Sequence, residues 1–394
     1  MSAAYLNELG IVCALGDGPD AVAQSLFAHD APRGVTMTDT YSPGRELAVG
    51  EVAGALPDLS DCVLPMRTRN NALLRMAHAQ IRDAVAAAIE RFGAHRVAVI
   101  VGTSTSGIGE AERALPERRE RGDWPSSYHY AQQEIGAPSA FLAAESGARG
   151  PAWTISTACS SSAKALASAA RLLRAGMADA VIAGGADSLC SFTVSGFSAL
   201  EAVSLQRCNP FSGNRSGIHI GEGAALFLMT REPGPVRLAG WGETSDAHHM
   251  SAPEPQGTGA IAAIEQALAR GGIAADEVDY VNLHGTATPQ NDAMESRAVM
   301  ATLGGAVAAS STKALTGHTL GAAGALEAGL CWLAMARNPE HRLPPHWWDG
   351  EPDTELPPLD LIAPGRRAAG PLRHVLSNSF AFGGSNAALL FGRG

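Results

Sequence analysis

The stretch Trp153-Thr154-Ile155-Ser156-Thr157-Ala158-Cys159-Ser160-Ser161-Ser162-Ala163-Lys164-Ala165-Leu166-Ala167 passes from an apolar strand through a Ser-Thr turn into a small-residue helix, with Cys159 at the turn. A thiol there meets the positive end of the helix dipole, which favours the thiolate and predicts a nucleophile. Free cysteine is also among the most often buried residues and commonly behaves as a small apolar group. The residues it meets in space decide between the two readings.

The pattern around Cys159 is part of a duplication. A β-branched strand running into Gly-Thr-x-Thr occurs at Val97 to Thr105 and again at Val278 to Thr288. A Ser-Thr turn feeding a small-residue helix occurs at Ser156-Thr157, with the helix to Arg174. It recurs at Ser311-Thr312-Lys313, leading through His318 into a helix from about Leu320 to Met335. A strand hairpin with paired glycines is expected at Ile218 to Met229, around Gly221-Glu222-Gly223, and at His374 to Phe391, around Gly383-Gly384.

Strands alternating with helices predict buried, largely parallel sheets covered by helices. Three repeats in one order predict two layered α/β halves. The Pro/Gly-rich Glu232-Pro233-Gly234-Pro235 divides them into 1–232, with the cysteine, and 233–394, with two candidate histidines. Ligand sites in open α/β sheets lie at the carboxyl ends of strands. Cys159, His284 and His318 are therefore expected to converge although far apart in the chain.

A chain of 394 residues with 46% hydrophobic content can bury a sizeable core. Its six cysteines are scattered and form no C-x-x-C pair, which argues against a zinc site or disulfide framework and for a reducing cytoplasm. The run Gly10 to Leu15 is broken by Gly16 and Asp17, so neither a secretory signal nor a membrane anchor is expected. No later stretch reaches the roughly 18 apolar residues of a membrane span.

The net charge of −10 argues against a general nucleic-acid binder. An acidic partner needs a local basic patch, for which Arg67, Arg69, Arg75 and Arg207 are candidates. His248-His249 has no third ligand at a fitting interval, so no metal is expected. Gly102-Thr103-Ser104-Thr105-Ser106 lacks the final glycine of a serine-hydrolase elbow.

Four motifs, taken together and in order over nearly the whole chain, resemble those of β-ketoacyl-acyl-carrier-protein synthases. They are Thr157-Ala158-Cys159-Ser160-Ser161, His284-Gly285-Thr286-Ala287-Thr288-Pro289, Lys313-x-x-Thr316-Gly317-His318 and Asn378-Ser379-Phe380-Ala381-Phe382-Gly383-Gly384. The resemblance implies a thiolase-like α/β fold, with duplicated halves forming a five-layer αβαβα sandwich. It implies an acyltransferase that performs decarboxylative chain elongation, because thiolases carry a second cysteine and chain-starting synthases an asparagine where this chain has His318.

In such an enzyme Cys159 carries the acyl group, and the Cys159 and Phe382 backbone N–H groups form the oxyanion hole. His284 and His318 stabilise the enolate, while Lys313 supports the histidines with Glu327 as its partner. Thr286 and Thr288 meet the phosphopantetheine arm. Phe382 gates an acyl pocket that also takes in Phe211 and Ile108, and Arg67, Arg69 and Arg207 dock the acyl carrier protein. No cofactor is implied, and the assembly is a homodimer or a heterodimer with a chain-length-factor homologue.

Gly102-Thr103-Ser104-Thr105-Ser106-Gly107 and Ala381-Phe382-Gly383-Gly384 are most similar to ketosynthases of aryl-polyene pathways. A housekeeping fatty-acid elongating synthase is the alternative. A non-catalytic chain-length-factor-like subunit is argued against by the intact Cys159, His284 and His318. Two positions depart from the family pattern: Ala381 replaces a common glycine, and Ser216 stands where an Arg-Asp-Gly aspartate is usual.

Overall fold

A computed structural model describes residues 3–394. The first half opens with β1 (Tyr5–Cys13), β2 (Gly16–Asp17), α1 (Pro19–Leu26), β3 (Thr36–Thr38) and β4 (Leu47–Gly50). It continues through α2 (Arg69–Phe92), β5 (Val97–Gly102), α3 (Ile108–Arg121), α4 (Ala137–Ser146), β6 (Ala152–Ile155) and α5 (Ser161–Arg174). β7 (Ala180–Asp187), α6 (Ser191–Ala199), β8 (Ile220–Gly221) and β9 (Gly223–Thr230) complete it. The second half runs β10 (Val236–Ser245), α7 (Thr258–Gly271), β11 (Tyr280–Asn282), α8 (Pro289–Thr302), β12 (Ala308–Ser310), α9 (Lys313–Thr316) and α10 (Ala323–Ala336). It ends with β13 (Asp360–Leu361), β14 (His374–Ala381) and β15 (Ser385–Arg393).

The duplication is visible in strand order. β1-β9-β7-β5-β6 forms one sheet, with β7, β5 and β6 parallel and β9 antiparallel to both its neighbours. β10-β15-β14-β11-β12 repeats that order and those directions, with β13 added at its edge. The sheets join where β1 meets β10, at Tyr5–Arg237 and Leu6–Val236.

Helices α2 and α4 cover the outer face of the first sheet and α7 and α8 that of the second; α5 and α10 lie between the sheets. This is the five-layer αβαβα sandwich. Side chains alternate accordingly: Val97, Val99 and Val101 of β5 pack toward α2 and α4, whereas Ala98 and Ile100 pack toward α5 and α10.

The central layer touches a sheet on each side, so its side chains must be small. Ala163, Ala165, Ala167, Ala169 and Ala170 of α5 are all buried. Two glycines let the backbones close further. A Cβ at Gly102 would lie 2.3 Å from Ser162 N, and one at Gly324 would lie 2.8 Å from Ala163 N. The N-terminal ends of α5 and α10 thus stand side by side, which sets Cys159 next to His318.

The structure corrects one expected element. Ile218 to Met229 is not a hairpin: β8 leaves the main sheet to pair with β4, while β9 runs between β1 and β7. The reason is local pairing with the second half. His318 N donates to His219 O at 2.8 Å and Gly221 N donates to His318 O at 3.0 Å, so this segment holds the His318 backbone instead of turning on itself. The strand pair equivalent to β14 and β15 is β7 and β9, which are distant in sequence.

Gly102→Ala is expected to lower folding stability by about 1–3 kcal/mol, because backbone blocks the new methyl group. A urea denaturation midpoint equal to that of the unmutated protein would remove this close approach from the account.

Candidate active site

Cys159 sits on a tight turn after β6, held by Thr157 N donating to Ser161 Oγ and by Ser161 Oγ donating to Ala158 O. Ala158 adopts φ 52, a left-handed conformation that costs free energy in a residue with a Cβ. The same signature marks Ala287, at φ 63 in the His284 loop, and Leu320, at φ 51 just after His318. Each chemical group is therefore aimed by a locally strained backbone.

The expected convergence is present. His318 Nε2 lies 3.0 Å from Cys159 Sγ. His284 stands edge-on to His318, with ring centroids 5.4 Å apart and planes at 85°. The sulfur and one nitrogen of each ring lie within 4.8 Å of one another, and all three side chains are buried.

The protonation of the rings follows from their second nitrogens. Leu320 N donates to His318 Nδ1 at 3.3 Å, and Lys313 Nζ faces His284 Nδ1 at the same distance. A neutral ring whose Nδ1 accepts carries its proton on Nε2. Burial, and then the Lys313 charge, hold both histidines well below the ordinary imidazole range. At neutral pH both rings are uncharged donors.

Lys313 is itself buried and donates to Glu327 Oε1 and to His284 O. Burial raises Glu327, and the Lys313 charge opposes that rise. The thiol behaves differently from expectation. Burial pushes Cys159 up to about 11, although the Lys313 charge and the Phe382 and Cys159 backbone N–H groups pull it down. Desolvation is the largest of these influences, and it favours the protonated thiol.

Two buried carboxylates hold the loops and were not singled out by the sequence. Glu295 on α8 accepts from His284 N at 2.8 Å, Gly285 N at 2.7 Å and Asn378 Nδ2 at 3.2 Å. Asp187, at the end of β7, accepts from Ser104 N at 3.0 Å, Thr105 N at 2.9 Å and Gly321 N at 2.6 Å, and from the hydroxyls of Thr103, Ser104 and Thr105. The available signal was an acid on the apolar side of an element, visible only after the elements are placed.

A cavity of about 150 Å³ opens over Cys159, His284 and His318. Thr286, Thr288, Phe380, Ala381 and Phe382 line it, together with Phe197 and Leu200, which the sequence had not indicated. The Phe382 and Phe197 rings lie 5.6 Å apart. Ala381 has φ −99, so its Cβ brings no strain in this conformation.

Other expected residues lie elsewhere. Ile108 faces a separate apolar groove with Leu115, Trp124 and Phe192. Phe211 is packed behind the His284 loop, where its ring edge would meet a Cβ on Gly285, and its N–H donates to Asp292 at 2.8 Å. Neither lines the cavity over Cys159. Arg69 turns inward to the buried Glu222, and Arg207 donates to the carbonyl oxygens of Arg33 and Ala314. Arg67 is exposed and bonds Cys62 O and Ser60 O. Arg215 finds its acid in Asp353, at 2.6 Å, and Ser216 contacts Ser204 instead.

Fold and site together define a condensing acyltransferase of the thiolase type. Residues 63–233 match the family pattern "Beta-ketoacyl synthase, N-terminal domain" and residues 236–345 match "Beta-ketoacyl synthase, C-terminal domain". A 3-oxoacyl-[acyl-carrier-protein] synthase 2 of Synechocystis sp. is 34% identical over 77% of this chain and 76% of its own. That of Coxiella burnetii is 32% identical over 98% of both chains. Among solved structures, the ketosynthase ApeO of Xenorhabdus doucetiae, in complex with its chain length factor ApeC, is 46% identical. Its TM-score is 0.93, over 100% of this chain and 98% of that one. The chain belongs to the β-ketoacyl synthase family, and it is a ketosynthase.

Two measurements check the electrostatics. Because the thiol sits near 11, its alkylation by iodoacetamide is expected to rise about tenfold per pH unit between about pH 7 and pH 9; a plateau below about pH 8 would mean a preformed thiolate. Burial raises Glu295 from 4.5 to about 7, so ionising it costs more in the folded state and its contribution to stability falls as pH rises through that window. Glu295→Gln should flatten that part of the stability curve and lower condensation activity about tenfold. An unchanged slope would contradict the assignment.

Proposed function

We propose that this chain extends a carrier-bound acyl chain by two carbons through decarboxylative Claisen condensation, in the assembly of an aryl polyene or a related polyketide. The observation that carries the reading is the 3.0 Å contact between Cys159 Sγ and His318 Nε2, with His284 beside it and both rings neutral donors. The 46% identity to ApeO over the whole chain supports the pathway.

In the first half-reaction, the Cys159 sulfur attacks the thioester carbonyl of an acyl carrier protein. The carbonyl oxygen gains charge against the Cys159 and Phe382 N–H groups. The pantetheine sulfur then leaves with the thiol proton, and the acyl group stays on Cys159. One such donor is typically worth about 2.7–4 kcal/mol in the transition state.

In the second, the malonyl thioester oxygen lies between the two Nε2–H groups. The bond to the malonyl carboxylate breaks, carbon dioxide leaves, and the electron pair becomes an enolate whose oxygen the histidines hold. Its carbon attacks the acyl-cysteine, the new C–C bond forms, and the C–S bond breaks to return the thiol once a proton is taken up. Neutral donors suit this step because they stabilise the oxyanion without surrendering a proton. Burial, and then the Lys313 charge, keep them neutral.

Thr286 and Thr288, at the mouth, receive the pantetheine amides. The cavity of about 150 Å³ is smaller than the about 300–1,000 Å³ of ordinary ligand pockets. Phe382 therefore acts as a gate that swings from Phe197, using Gly383 at φ 80 and Gly384 at φ 74 as hinges.

Arg67 and Arg207 meet the carrier protein, and a chain-length-factor homologue completes the assembly, as in the ApeO complex. The edge strand β6, which ends its sheet half-exposed, is where such a chain would pair. The reading divides the chain at 232/233 and places the enzyme in the cytoplasm. Among the described residues, no helix is long and apolar enough to cross a membrane.

Cys159→Ala is expected to abolish acyl-enzyme formation, followed by intact-protein mass spectrometry; continued acylation would end the nucleophile assignment. His318→Ala is expected to lower malonyl decarboxylation more than acyl transfer, and equal losses would contradict the division of roles. Acyl carriers of graded length, aryl and alkyl, offered with and without the partner homologue, test the substrate class.

A further inference from the structure

The two N–H groups of the oxyanion hole belong to different halves of the molecule. Cys159 lies on the turn before α5, and Phe382 lies on the loop between β14 and β15. Both segments bend at positive φ, at Ala158 on one side and at Gly383 and Gly384 on the other. Among the described residues, no backbone hydrogen bond joins them. The loop is held on its far side by Gly383 N donating to Met250 O and Asp246 N donating to Gly384 O, and the direct link to the Cys159 turn is made by side chains.

The link is short and polar. Lys164 Nζ, one helical turn beyond Ser160, donates to Ser385 Oγ at 2.6 Å. Ser160 Oγ lies 3.1 Å from the same oxygen and 2.8 Å from Thr157 O. Ser385 directly follows the two hinge glycines, so a bond to its hydroxyl stops the loop where the gate ends. Lys164 is half-buried, and burial and the nearby Arg171, not an acid, set its titration. A half-buried cation whose bonded partner is a single hydroxyl is a costly way merely to fill space.

We propose that Lys164 is a positioning residue which, through Ser385, anchors the far end of the 382–385 loop against the Cys159 turn and, with the gate resting on Phe197, fixes the separation of the two oxyanion-hole donors. The inference rests on the oxyanion-hole assignment above. It separates the half-reactions, because acyl transfer uses both N–H groups while malonyl decarboxylation draws on the two imidazoles.

The test compares Lys164→Met, Ser385→Ala, Ser385→Thr and the Lys164→Met/Ser385→Ala double variant with the unmutated enzyme. Acylation of Cys159 is followed by mass spectrometry and malonyl decarboxylation by carbon dioxide release. Lys164→Met and Ser385→Ala are each expected to slow acylation about tenfold or more, with decarboxylation kept within about twofold. Ser385→Thr, which retains the hydroxyl, should stay near the unmutated rate. The double variant should lose no more than the worse single one, as for two residues acting through one bond.

Equal losses in both half-reactions, unchanged acylation, or additive losses in the double variant would overturn the inference. Ser385→Ala keeps the question open to measurement if Lys164→Met does not fold. Failure of the unmutated enzyme to acylate Cys159 would instead strike the functional reading itself.

Discussion

One buried ammonium governs the chemistry of this site. Lys313 has almost no contact with water, and it binds Glu327, the carbonyl oxygen of His284 and the Nδ1 edge of the same ring. The carboxylate makes its burial tolerable, since an isolated charge in such a place would be very costly. What remains is a fixed positive field beside two imidazoles. Burial already disfavours protonating either ring, and the Lys313 charge adds to that, so both stay neutral and both offer Nε2–H to the cavity. Removing Lys313 alone would leave Glu327 buried without a partner, disturbing charge and geometry together.

Carboxylates fix the backbone in the same way that Lys313 fixes the charges. Asp187 gathers the 103–105 loop and Gly321 in the first half, and Glu295 gathers His284 and Gly285 in the second. Each supplies acceptors to N–H groups that loop geometry would otherwise leave unsatisfied in the interior. The halves thus share a principle as well as a strand order, although one acid comes from a strand end and the other from a helix. Because Asp187 also holds Gly321, three residues beyond His318, it couples the cysteine-bearing half to the histidine-bearing one.

The parts legible in the sequence were those with a local period or a local punctuation mark. β5 shows its two faces in the alternation of Val97, Ala98, Val99, Ile100 and Val101. Cys159, His284 and His318 each sit at the end of an element in a short, glycine- or serine-marked turn. Glu295 and Asp187 were hidden because their partners are backbone N–H groups contributed by other elements. Gly221-Glu222-Gly223 read as a hairpin because local glycine chemistry gives no hint that its neighbours pair with His318 across the molecule. The sequence shows the helix terminus that favours a thiolate but not the burial that pushes the thiol the other way. The pairing of Arg69 with Glu222 was hidden because that acid lies far along the chain.

The depth at which the sulfur lies has a consequence for the protein's durability. Oxidants attack thiolates that they can reach, and here burial favours the protonated thiol, which lies in a cavity lined by Phe197 and Phe382. A peroxide molecule that enters the cavity over Cys159 meets a thiol that burial holds toward its less reactive, protonated form. The same burial that makes the nucleophile sluggish on its own thus preserves it between turnovers, leaving reactivity to be summoned by the arriving thioester.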